Sequence, residues 1–156
     1  MYSRLRCALL VVTALSFAAC TDDGGDDAEA LIFPLDFASS YKEVRACRGT
    51  IDHGFGFKIQ VAVNPEAESA YVSGTYPLPV GTTLVKTLYE DDEDCTSPSG
   101  YSVMKKVRAT TGQASAEDWA WQETDALGVP KAITVGKCTS CHTQCTDGRD
   151  MTCTDP

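Results

Sequence analysis

The stretch that most constrains this chain is Cys138-Thr139-Ser140-Cys141-His142, within its last twenty residues. C-x-x-C-H is the attachment motif for c-type haem. Two thiols separated by two residues can each add to a vinyl group of one porphyrin. The imidazole directly after the second thiol then reaches the iron. A fold carrying this motif has to build a wall for the macrocycle around its own C-terminus. Thiols and imidazole also ligate zinc or form disulfides, so a haem-free, disulfide- or zinc-stabilised lipoprotein domain is the competing reading.

The other end of the chain points to export. Residues 1–19 read as a signal peptide of lipoprotein type, with Arg4 and Arg6 as a positive region before an apolar run, Cys7 to Ala19, too short to span a bilayer. The run ends in Phe17-Ala18-Ala19-Cys20, which resembles the lipobox of bacterial lipoproteins and makes Cys20 the lipidated first residue of the mature chain. An ordinary signal-peptidase cut nearby is the alternative. Residues 20–30 are an acidic, Gly-containing flexible tether with nothing to bury. The expected location is the periplasmic side, lipid-anchored to a bacterial membrane. Residues 31–156 remain, enough for one small domain.

Cleavage would remove two of the 13 basic residues and none of the 22 acidic ones, leaving a net charge of −11. Such a surface disfavours nucleic acid and suits a basic redox partner protein. Of the eight cysteines, Cys7 leaves with the leader, Cys20 takes lipid, and Cys138 and Cys141 take haem. Cys47, Cys95, Cys145 and Cys153 are left in an oxidising compartment, which suggests two disulfides with three connectivities open. The preferred pairing is Cys145–Cys153, closing a short loop beside the haem, with Cys47–Cys95 tying the early chain to an acidic loop.

Along the domain, Ser39-Ser40 is expected to cap a short helix through Ala46. Phe55, Phe57, Ile59, Val61 and Val63 alternate as one face of a strand. Asn64-Pro65-Glu66 opens a helix that ends near Gly74, a good residue just past a helix end. Thr82 to Tyr89 and Tyr101 to Arg108 have strand composition, and Trp119-Ala120-Trp121 lies in a fourth strand. Glu90 to Gly100 is an exposed loop, and Gly128-Val129-Pro130 turns the chain towards the haem motif. The expected class is α+β, mainly antiparallel β: a single small domain with short helices and a C-terminal haem-attachment segment.

Several side chains carry open chemical questions. Lys86 shares a strand face with Leu84 and Leu88, so it is either an edge amine reaching water or a partly buried nucleophile. Lys105 has the same ambiguity between Val103 and Val107. His53 is either a structural histidine near a strand start or a second iron ligand. Met104 and Met151 could also ligate iron, although Met104 suits a core. Asp118 and Glu123, near the tryptophans, are candidates for moving protons.

Taken in order, these stretches resemble the cytochrome P-460 family, which includes the cytochromes c′-beta. They are His53-Gly54, Val63-Asn64-Pro65, Pro79-Val80-Gly81-Thr82-Thr83-Leu84-Val85-Lys86, Val103-Met104-Lys105, Asp118-Trp119-Ala120-Trp121, C-x-x-C-H, and Asp150-Met151-Thr152-Cys153-Thr154. The resemblance implies an exported, mainly β c-type cytochrome, often a homodimer, with five-coordinate haem held by His142 and an open distal side. It implies oxidation of hydroxylamine or handling of nitric oxide. Lys86 falls where the family's cross-linking lysine lies, which would make the cofactor a lysine-cross-linked haem c. Phe55 falls where the family places a distal phenylalanine. A nitric-oxide-binding or electron-transfer cytochrome without turnover is the alternative function. Two positions depart from the pattern: Cys153 replaces a phenylalanine, and Ile59 stands where the hydroxylamine oxidisers carry arginine.

Overall fold

A computed structural model describes residues 31–50, 53, 57–145 and 148–153. The signal peptide, Cys20 and the tether, as well as Phe55, lie outside the described residues. The architecture is α+β: one six-stranded antiparallel sheet in simple meander order, with three short α-helices. No helix among the described residues is long and apolar enough to cross a membrane.

The chain enters through α1 (Phe37–Ser40) and runs into β1 (Lys42–Gly49). This corrects the expected helix through Ala46. Residues 42–49 have no clean two-residue alternation to announce a strand, because the ladder to the next strand shifts register between Glu43 and Arg45 and again between Arg45 and Arg48. Such irregularities turn successive side chains off a common face. Backbone pairing with β2 (Phe57–Val63), together with the Cys47–Cys95 disulfide, overrides the local helical preference.

In β2 the alternation is regular, and Ile59, Val61 and Val63 are all buried on one face. Asn64 ends that strand and precedes α2 (Pro65–Val72), where proline fits the first turn because its missing N–H has no helical partner to lose. Gly74, at φ 67°, takes the left-handed conformation past the helix end. Asn64 also joins the elements, since its side-chain oxygen accepts from the Thr83 N–H at 2.7 Å.

The centre of the sheet is β3 (Thr83–Glu90) against β4 (Gly100–Lys106), followed by β5 (Trp119–Asp125) and the two-residue edge β6 (Pro130–Lys131). Leu84 pairs with Met104 and Met104 with Trp121, so these three share a face with Ile59 and Val61. That face holds the main apolar cluster, together with Tyr71 of α2 and Met151 of the C-terminal loop. The opposite face carries Val85, Tyr101 and Val103 under Phe33. Gln122 anchors this second layer, its Oε1 accepting from the N–H groups of Ile32 and Phe33, both at 3.0 Å.

The acidic loop after β3 is organised by Asp92, whose Oδ2 accepts from the N–H groups of Thr96 at 2.8 Å and Ser97 at 2.7 Å. These bonds hold its carboxyl below the usual range. The turn presents Cys95 to Cys47, with Cα atoms 6.0 Å apart. A second disulfide joins Cys145 to Cys153. Both are the pairs preferred from the sequence. The first spans 48 positions and the second 8. By loop-closure entropy their removal should cost about 4 and about 2.5 kcal/mol respectively. In urea unfolding, Cys47→Ser/Cys95→Ser is expected to lose more stability than Cys145→Ser/Cys153→Ser.

Candidate haem site

The last helix, α3 (Val135–His142), packs on β5 and carries the motif. Positions three and four apart on a helix lie on one side. Cys138, Cys141 and His142 therefore point together, and all three line one cavity of about 640 Å³. Its floor is the apolar face of the sheet, including Ile59, Val61, Leu84 and Met104. The volume is in the range of small-molecule and cofactor sites.

A polar row crosses this floor. Lys86 on β3 pairs in register with Ser102 on β4, which pairs with Glu123 on β5, and all three line the cavity. Lys86 Nζ lies 2.8 Å from His53 Nε2, and His53 lines the cavity too. An amine and an imidazole nitrogen can share that hydrogen bond only if one supplies a lone pair. Ser102 Oγ is buried and has no hydrogen-bond partner among the described residues. A buried hydroxyl without a partner inside a cavity is the mark of a site built for a further group.

Cys138 and Cys141 are the free thiols among the described cysteines. Burial, and after it the negative charge of Glu123, pushes the Cys138 thiol above its ordinary pKa. The groups His142, Cys145 and Cys153 also lie within 4.8 Å of one another. Because Cys145 and Cys153 are bonded to each other, they offer no thiolate to zinc.

His142 is oriented by contacts on two sides. Its Nδ1 lies 2.8 Å from the Met151 carbonyl oxygen. A carbonyl only accepts, so Nδ1 carries the proton and Nε2 is the nitrogen with the chemistry of a metal ligand. The edge of Trp121 packs on the ring, with centroids 4.8 Å apart at 69°.

The Met151 carbonyl is aimed by a turn in which Asp150 and Met151 both have positive φ, 51° and 64°. Consecutive left-handed residues other than glycine cost about 1–2 kcal/mol each. The Asp150 carboxylate holds them in place. It forms an ion pair with Lys106 in which both side chains are essentially inaccessible to water. It also accepts from the Leu78 N–H and the Thr110 hydroxyl, each at 2.9 Å. Lys106 in turn lies 4.9 Å from the centroid of the Trp119 ring.

The sequence-derived candidates separate clearly on this geometry. Cys138, Cys141, His142, Lys86, His53 and Glu123 meet around the cavity, whereas Asp118 caps the turn at Ser115, its Oδ2 3.1 Å from Thr110 Oγ1. Met104 lines the cavity from the core, and Met151 is buried in the apolar cluster. Lys105 is half-buried, and pairing with Thr83 puts it on the opposite face from the cavity. Sequence reasoning missed Ser102 and the buried lysine Lys106. Ser102 was recoverable from register, as the residue facing Lys86 across the ladder.

A mainly antiparallel β domain whose C-terminal helix turns two thiols and an imidazole into one cavity defines a class, the β-type c cytochromes. The cytochrome P460 family model matches residues 39–154, and the chain belongs to that family. It is accordingly a haem c cytochrome, and the donor set, the cavity and the unsatisfied Ser102 hydroxyl fit that cofactor. No curated protein matches the chain.

The two thiols should differ in reactivity. In protein purified without haem but with its disulfides formed, exposed Cys141 is expected to alkylate faster than half-buried Cys138 at mildly alkaline pH. Glu123→Gln should speed alkylation at Cys138, because removing the carboxylate charge lowers that thiol's pKa. Site-resolved mass spectrometry reads both rates, and equal rates would contradict the assignment.

Proposed function

We propose that this protein is an exported P460-type cytochrome in which Cys138 and Cys141 hold haem c through thioethers and His142 is the single protein ligand. Its reaction would be the oxidation of hydroxylamine or the handling of nitric oxide at the haem that these residues would hold. When bound, the haem supplies an iron centre that takes a small nitrogenous ligand and exchanges electrons with it. The observation that carries the reading is the convergence of both thiols, His142 and Lys86 on one cavity.

The chain's residues divide the remaining work. The Met151 carbonyl keeps the His142 proton on Nδ1, so that Nε2 would be the nitrogen that holds the metal. Lys86, on the cavity floor, would be the residue cross-linked to the haem, with His53 beside its amine to accept or supply a proton. Glu123, on the cavity floor, is the carboxylate placed to accept protons released from a nitrogenous substrate. Lipid on Cys20 keeps the domain at the membrane, and the acidic surface receives a basic electron partner. A second reading, nitric oxide binding or electron transfer without turnover, is favoured by Ile59, an apolar residue on the cavity floor where hydroxylamine oxidisers carry arginine.

Covalent haem survives denaturing electrophoresis, so a haem stain on the wild-type band is the first expected result. The ferrous protein should show a red-shifted, broadened Soret band that Lys86→Ala converts to that of an ordinary c-type haem. Persistence of the shifted band in Lys86→Ala would remove the lysine from the cross-link. Turnover of hydroxylamine with an artificial electron acceptor supports the enzyme, and intact cross-linked haem without turnover supports the binding protein.

A further inference from the structure

We propose that Asp150 is a positioning residue for the iron ligand, acting through the Met151 carbonyl to fix the orientation and donor strength of His142. The inference rests on the reading of His142 as the axial ligand.

The path is short, and the ion pair at its start is buried. Lys106 projects from the end of β4 onto the same sheet face as Met104, and its ammonium meets Asp150 Oδ1. The Thr110 hydroxyl binds that same oxygen, while the Leu78 N–H takes Oδ2. Both carboxylate oxygens are thus committed to groups from different parts of the chain, and the side chain cannot rotate without breaking a buried bond. The backbone it belongs to is the left-handed pair Asp150-Met151. The carbonyl that follows is the one that accepts from His142 Nδ1. The disulfide between Cys145 and Cys153 ties down the far side of the same loop, with Cys145 Sγ 3.5 Å from the Met151 oxygen.

A buried ion pair adds little stability over apolar side chains of equal volume, so its presence here calls for another role. What this one supplies is direction. A carbonyl held on the outer nitrogen of a metal-bound imidazole raises the basicity of the ligand. A more basic axial ligand strengthens the iron–histidine bond and favours the ferric state. Asp150 touches neither iron nor substrate, and its influence passes through one peptide unit.

The test uses the haem-loaded protein and reads the iron–histidine bond itself. Asp150→Asn preserves size and can still accept from the Leu78 N–H, but it withdraws the charge that holds Lys106. The expected result is an iron–histidine stretching band at lower frequency in the resonance Raman spectrum of the ferrous protein, with a more positive reduction potential. If Asp150→Asn does not accumulate as folded protein, Thr110→Val removes one hydrogen bond from the same carboxylate. It should move both readouts in the same direction by less. A folded variant with wild-type haem content, unchanged band and unchanged potential overturns the inference, even if its melting temperature falls. Haem missing from the wild-type protein would overturn the axial-ligand reading first, and this inference with it.

Discussion

The ion pair between Lys106 and Asp150 is the constraint on which the C-terminal third of the molecule depends. It is the only salt bridge among those described in which both side chains are shut off from water. Two charges in such a place are tolerated because each has further partners: Thr110 and the Trp119 ring for Lys106, and Thr110 and the Leu78 N–H for Asp150. The pair joins a sheet strand to a loop that the Cys145–Cys153 disulfide closes and that Met151 packs against the apolar cluster. From that junction follow the left-handed turn, the direction of the Met151 carbonyl and the tautomer of His142. The sheet provides the wall of the cavity, and the ion pair stands behind the turn whose carbonyl meets His142.

The sheet makes its own contribution through register. Antiparallel pairing carries Lys86, Ser102 and Glu123 across three adjacent strands on one face, between rows of apolar residues. A one-residue slip in any of these ladders would send its polar residue to the opposite face, where Val85, Tyr101 and Val103 pack. The buried alternation of β2 and β3 therefore protects the chemistry as well as the core. His53, at the start of the hairpin, closes the row by meeting Lys86.

Much of this was legible in the sequence, for definite reasons. Strand β2 declared itself through Ile59, Val61 and Val63, and α2 through Asn64-Pro65, because those signals are local. The haem motif was legible because its chemistry demands a fixed spacing. β1 was misread as helix because two register shifts erase its alternation, and its partner strand lies beyond the range of local pattern. Lys106 was overlooked in favour of Lys105 because strand composition does not say which of two adjacent lysines faces the core. Asp150, the residue that decides the matter, lies 44 positions away, and no local rule connects the two.

In the proposed function one imidazole, oriented by the Met151 carbonyl, would be the single protein ligand of the iron. His53 Nε2 is engaged with Lys86, and Met104 and Met151 pack in the apolar cluster. Electron paramagnetic resonance of the ferric protein tests this most directly. The expected result is a high-spin signal from five-coordinate iron that exogenous nitric oxide abolishes on binding. A low-spin signal from iron ligated by the protein on both faces would contradict it.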